Sequence, residues 1–110
     1  MTVATPLRLV KDAEAIVLSS LSGIDVYLLE HAEQKLIHKL RNQFIDIKLY
    51  IRDYELSETL LEQQGFMKKV HSLLDLTDKN ILKLSESNIL SAVDVAQISA
   101  HFAQAREDIS

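Results

Sequence analysis

Residues 37–54 read IHKLRNQFIDIKLYIRDY, and the apolar positions of this stretch decide the fold class. Ile37, Leu40, Phe44, Ile47, Ile51 and Tyr54 recur at alternating steps of three and four residues, the heptad spacing of a helix that lays one seam against its neighbours. A half-buried strand would instead alternate apolar and polar at every second residue. Neither glycine nor proline interrupts the chain from Asp25 to Tyr54. One helix of roughly 30 residues, about 45 Å long, is therefore predicted there. A second stripe through Leu28, Leu29, Leu36, Ile45, Leu49 and Tyr50 widens the apolar surface beyond what a single partner helix covers. The helix either lies centrally in a bundle or buries one side against another subunit, and the six seam residues are the interface candidates.

The flanks carry the same period. Thr5 precedes the only proline, Pro6, in the arrangement of an N-cap residue followed by proline at the first helical position. A first helix then runs from about Pro6 to about Leu21, with Val10, Ala13, Val17 and Leu21 on one face and Ser22-Gly23 as a left-handed stop. Downstream, Thr59 and Glu62 have capping-box spacing and open a third helix. Leu56, Leu60, Met67, Val70 and Leu74 lie on one of its faces, and Gly65 is a weak point inside it that admits a close helix approach. Between Thr77 and Ser91 the periodicity decays into a polar connector with at most a short helical turn. A last helix starts near Ser91, with Asp94 three residues on and Val95, Ile98, Phe102 and Ala105 on one side.

Two glycines and one proline in 110 residues leave almost no hairpin chemistry, so the fold class is all-α. Residues 1–110 are read as one domain, an antiparallel bundle of about four helices in up-down-up-down order, whose unequal lengths leave room for an overhanging hairpin that dimerises. Hydrophobic residues at 47% and a net charge of −4 place the chain among folding globular sequences. No apolar run is long enough for a spanning helix or a signal peptide, so membrane insertion is not expected. The absence of cysteine removes disulfides, thiolate metal sites and thiol nucleophiles, and accords with the reducing cytoplasm. An excess of acidic over basic residues, 16 against 12, argues against nucleic acid as a partner.

Known catalytic patterns are absent. No glutamate is followed three residues later by histidine, the ligand spacing of metal-binding bundles, and no two histidines stand four apart. His71 and Asp75 share a helix face but form only a lone pair, read as a surface hydrogen bond before a zinc site. Glu30, Glu33 and His71 are the residues whose convergence a metal-dependent enzyme would need. Gly23 and Gly65 are too far apart to build a phosphate-cradling loop, and no strand system presents a nucleophilic serine. Residues 94–110 lack the turn glycine of a helix-turn-helix. No cofactor and no metal are called for.

One stretch carries a sharper suggestion. His38, Leu40, Arg41, Asn42 and Phe44 match a histidine followed by a variable residue, an aliphatic, a basic residue, Asn or Thr, and an apolar residue two further on. This resembles the phosphoacceptor box of histidine-kinase dimerisation domains, and residues 70–77 look like the end of the second helix of the same hairpin. Over residues 30–85 the resemblance implies a homodimeric four-helix bundle with His38 as phosphate carrier. It departs from the box at Gln43, where proline is usual, and at Lys39, where an acidic residue is common. With no nucleotide-binding pattern, the implied role is phosphotransfer between other proteins. Histidine-containing phosphotransfer domains are a looser likeness, since the Leu-Lys-Gly after their histidine is missing here. On the heptad, His38 flanks the seam and reaches solvent, and Arg41 could neutralise a phosphoryl group.

The function favoured by the sequence is a non-catalytic interaction protein of the regulator or adaptor type, acting through protein partners and expected to form a homodimer. Phosphotransfer on His38, with Arg41 and Asn42, is the alternative, and a metal-dependent bundle protein the second.

Overall fold

A computed structural model describes residues 5–110. It contains four α-helices, α1 (Pro6–Leu21), α2 (His31–Leu56), α3 (Leu60–Glu86) and α4 (Ala92–Asp108), and a 3₁₀ turn at Val26–Leu28 between α1 and α2. There is no strand among the described residues.

Three helices start on a hydroxyl that accepts from the backbone N–H three residues on, as their sequences predict. Thr5 accepts from Arg8 at 3.2 Å, Thr59 from Glu62 at 3.1 Å and Ser91 from Asp94 at 3.1 Å. α2 begins differently, and later than Asp25. The Asp25 carboxylate accepts from the Tyr27 N–H at 3.1 Å and so caps the 3₁₀ turn instead. Leu29 and Glu30 are then extended, and α2 starts at His31 with 26 residues. Ile24, Val26 and Leu29 are half-buried against the core, so this segment carries the chain across one end of the bundle.

α3 also departs from expectation. It runs unbroken through the stretch read as a connector, because its seam continues there: Val70, Leu74, Thr77, Ile81 and Leu84 are all buried at steps of four and three. Thr77 and Asn80 face inward, and polar side chains at core positions masked the period. The helix is stopped just past its end by Asn88, whose φ of 62° is left-handed. There the Ile89 N–H bonds the Leu84 carbonyl and the Asn88 N–H the Ser85 carbonyl, a Schellman stop with Ile89 and Leu84 both buried. By contrast Gly23 is not left-handed. α1 closes instead through Ser22 N–H to Leu18 O and Ile24 N–H to Leu21 O.

Consecutive helices run antiparallel, and each packs on two others in the ring α1, α2, α3, α4, an up-down-up-down bundle. α2 packs most extensively on α3 and α1 on α4, while the α1–α2 and α3–α4 seams are the more open ones. Cross-links fix the register: Lys48 to Glu14 at 2.8 Å, Ser20 to Asp94 at 3.0 Å, Ser99 to Asp78 at 3.0 Å, and Asn80 to Gln43 at 3.0 Å inside the core. Phe44 and Phe102 meet across the centre at 5.9 Å.

Ile37, Leu40, Phe44, Ile47 and Ile51 are buried within a single chain and Tyr54 is half-buried. Of the two places left open for this seam, α2 takes the central one. The six interface candidates face α1, α3 and α4, and no second copy can reach the five buried ones without opening the bundle.

α2 and α3, with 26 and 27 residues, outrun α1 and α4, with 16 and 17. Leu7 of α1 lies by Leu49 and Arg52, and Ile109 after α4 meets His71. Among the described residues, the last turn of α2 and the first turns of α3, up to about residue 65, consequently project beyond the shorter pair.

Candidate functional site

The histidine box lies on the outer face of α2, where the 3₁₀ turn folds over it. Val26, Tyr27, Gln34, Ile37, His38 and Arg41 line an open cleft between turn and helix. His38 and Arg41 are exposed, and Tyr27 almost wholly so at 91%. Helical spacing brings Asn42 one turn beyond His38, and its Nδ2 lies 3.3 Å from His38 Nε2, close enough for the amide to donate. No carboxylate pairs with His38 among the described residues. The three residues singled out by the sequence are thus together and open to a macromolecular partner. Gln43, the departure at the proline position, turns inward to accept from Asn80.

The metal readings fare differently. His71 Nε2 bonds the Ile109 carbonyl at 2.6 Å, and Asp75 pairs with Arg106, so this couple fastens the end of α4 onto α3. Glu30 and Glu33 sit at the start of α2, near Lys83 and Glu86, at the opposite end of the bundle from His71. They do not converge with it. No group of three His, Asp or Glu side chains suited to a metal ion forms among the described residues.

A different surface stands out. The second apolar stripe of α2 divides: Leu29, Leu36 and Tyr50 pack partly onto the core, whereas Ile45 and Leu49 are 50% and 51% exposed and Leu28 is 83% exposed. Ile45 and Leu49 join Leu7 of α1 as the floor of a groove over the α1–α2 seam, with Lys11, Lys48 and Arg52 around it. Its volume, about 260 Å³, falls below that of ordinary small-molecule sites and suits one or two inserted side chains. Seven residues past Leu49 the stripe continues at Leu56, and the α2–α3 turn leads to Leu60 and Leu61. These three are 68%, 69% and 81% exposed.

Helical spacing in the sequence predicts a shared face for Leu56 and Leu60 with Val70 and Leu74. Only the latter two are buried, because the hairpin projects past α1 and α4 and its tip has nothing to pack on among the described residues. One signal was available in the pair Leu60-Leu61, since adjacent helical residues lie about 100° apart and cannot both face one seam.

No helix among the described residues is long and apolar enough to cross a membrane. Comparison with protein-family models, with curated proteins and with solved structures returned no match.

Proposed function

We propose that this chain is a cytoplasmic, non-catalytic interaction module of the regulator or adaptor type, docking through the outer stripe of α2 and the tip of the α2–α3 hairpin. A single observation carries the reading: Ile45, Leu49, Leu56, Leu60 and Leu61, all at least half exposed, succeed one another along one edge of the molecule. Apolar side chains scattered singly over a surface are ordinary, but two exposed apolar clusters on one edge, Ile45 with Leu49 and Leu56 with Leu60 and Leu61, mark a contact site. These clusters do not serve the fold, whose seam lies on the opposite side of α2.

Site-specific photocrosslinking tests this. A photoreactive residue at position 49, in the chain produced at native level in its own cells, is expected to give one discrete protein adduct. That adduct should vanish when Leu56→Glu is added. No adduct, or a smear indifferent to Leu56→Glu, would remove the stripe as a docking surface.

Phosphotransfer on His38 is a second reading, supported by an exposed imidazole with Asn42 at Nε2 and Arg41 in the same cleft. Phosphoramidate supplies the test: its P–N bond breaks, ammonia leaves, and a new P–N bond forms to the ring. An acid-labile mass gain of one phosphoryl group, absent in His38→Gln, would support this reading; equal labelling of both proteins would sink it.

A further inference from the structure

We infer that the α2 stripe and the hairpin tip are the two halves of a self-complementary surface that pairs two copies of this chain antiparallel. The inference rests on the docking role just proposed and names the occupant.

Its basis is a charge gradient along the stripe. At the Ile45 end the apolar floor is ringed by Lys11, Lys48 and Arg52, with exposed Arg41 one turn earlier. Glu14 takes up Lys48, but neither Lys11 nor Arg52 has a carboxylate in ion-pairing range among the described residues. Asp46, the acidic residue at this end, points toward Lys68 and Lys69 on the α3 side. At the Leu56 end the setting reverses: Asp53, Glu55, Glu58 and Glu62 are exposed around Leu56, Leu60 and Leu61.

A surface with apolar residues at both ends, basic groups around one and acidic groups around the other, complements itself when turned by 180°. With a two-fold axis between positions 52 and 53 of α2, Leu49 meets Leu56 of the partner subunit, and Ile45 faces the hairpin tip of the partner subunit. Arg52 then lies beside Asp53 of the partner subunit. The basic groove faces the acidic tip twice, as an isologous interface requires. A parallel arrangement would set like charges together. Among the described residues, the projection of the hairpin beyond α1 and α4 leaves this edge uncovered, as pairing with a second copy requires. Few side chains take part, so the contact falls below the roughly 800 Å² per partner of standard interfaces and should be weak and concentration-dependent.

Sedimentation velocity with charge-reversed variants decides it. Wild type is expected to shift from the mass of one chain, 12.5 kDa, toward two as concentration rises. A tip-reversed variant (Glu55→Lys with Glu58→Lys) and a groove-reversed variant (Lys11→Glu with Arg52→Glu) should each raise the dissociation constant about tenfold or more. An equimolar mixture of the two should regain the dimer, because each supplies the charge the other has lost. Circular dichroism of every variant should match wild type. A wild type that stays at one chain up to about 1 mM, a dimer neither reversal weakens, or weakened variants that mixing does not rescue would each overturn the pairing. If the adduct from position 49 is then a different protein, the docking surface stands and the self-pairing falls. If there is no adduct either, both fall.

Discussion

At the scale of single residues, three polar side chains lie inside a core otherwise built of apolar ones. Gln43 and Asn80 are 6% and 3% exposed and satisfy each other at 3.0 Å, while Thr77 is fully buried with its Oγ1 unpaired among the described residues. A buried amide without a partner loses its hydration and gains nothing, so removing one member of the pair costs more than removing both. Asn80→Ala should destabilise by about 2–3 kcal/mol in urea unfolding, from the stranded Gln43 amide and the cavity together. Gln43→Met with Asn80→Leu should recover most of that loss. Thr77→Val, which removes the unpaired hydroxyl at constant shape, should stabilise by about 1 kcal/mol. A double variant no more stable than Asn80→Ala would mean that the amide pair supplies packing rather than mutual satisfaction. The same residues explain where the sequence was hardest to read. In sequence, Gln43 stands out only as a departure from a histidine box and the stretch after Thr77 only as a polar connector, since hydropathy assigns polar side chains to the surface unless their partners are known.

At the scale of elements, local chemistry was legible wherever one residue fixes a boundary alone. Thr5, Thr59 and Ser91 are N-caps because a hydroxyl three residues before a free N–H makes its bond without help from the rest of the fold. The boundaries misread are those set by tertiary packing: Asp25 caps a turn rather than a helix because the chain must cross the end of the bundle, and α3 continues past Thr77 because α2 and α4 bury it. Asn88 rather than Gly23 is the left-handed residue, and nothing local distinguishes which turn will need one. Gly65 is the remaining glycine. It lies exposed within α3, its φ is helical, and an added Cβ would meet nothing within 4 Å, so it provides no close approach. Gly65→Ala should therefore raise stability by about 0.5–1 kcal/mol through the narrower unfolded ensemble and better helix propensity. Thermal unfolding measures this, and a lower melting temperature would show that position 65 faces a neighbour.

At the scale of the whole molecule, the two stripes of α2 part company, and a pair of substitutions two residues apart separates them. The fold class followed from the heptad of residues 37–54, but the heptad does not say whether its partners belong to the same chain. That depends on the lengths of the other helices, and it is answered by Ile47, which is fully buried, and Leu49, which is half exposed. Ile47→Glu places an unpaired carboxylate where three helices meet, at a cost of about 3–5 kcal/mol, a large share of the 5–15 kcal/mol that holds an ordinary domain together. It should abolish or strongly broaden the thermal transition. Leu49→Glu changes a groove beside Lys11, Lys48 and Arg52, and its melting temperature should stay within a few degrees of wild type. Two unfolded variants would place both stripes inside the chain and leave no docking edge on α2. Two stable ones would mean that the seam is not core, and the bundle described here could not stand. The expected split, one lost and one intact, makes the inner stripe the source of the fold and frees the outer stripe for contact with another molecule.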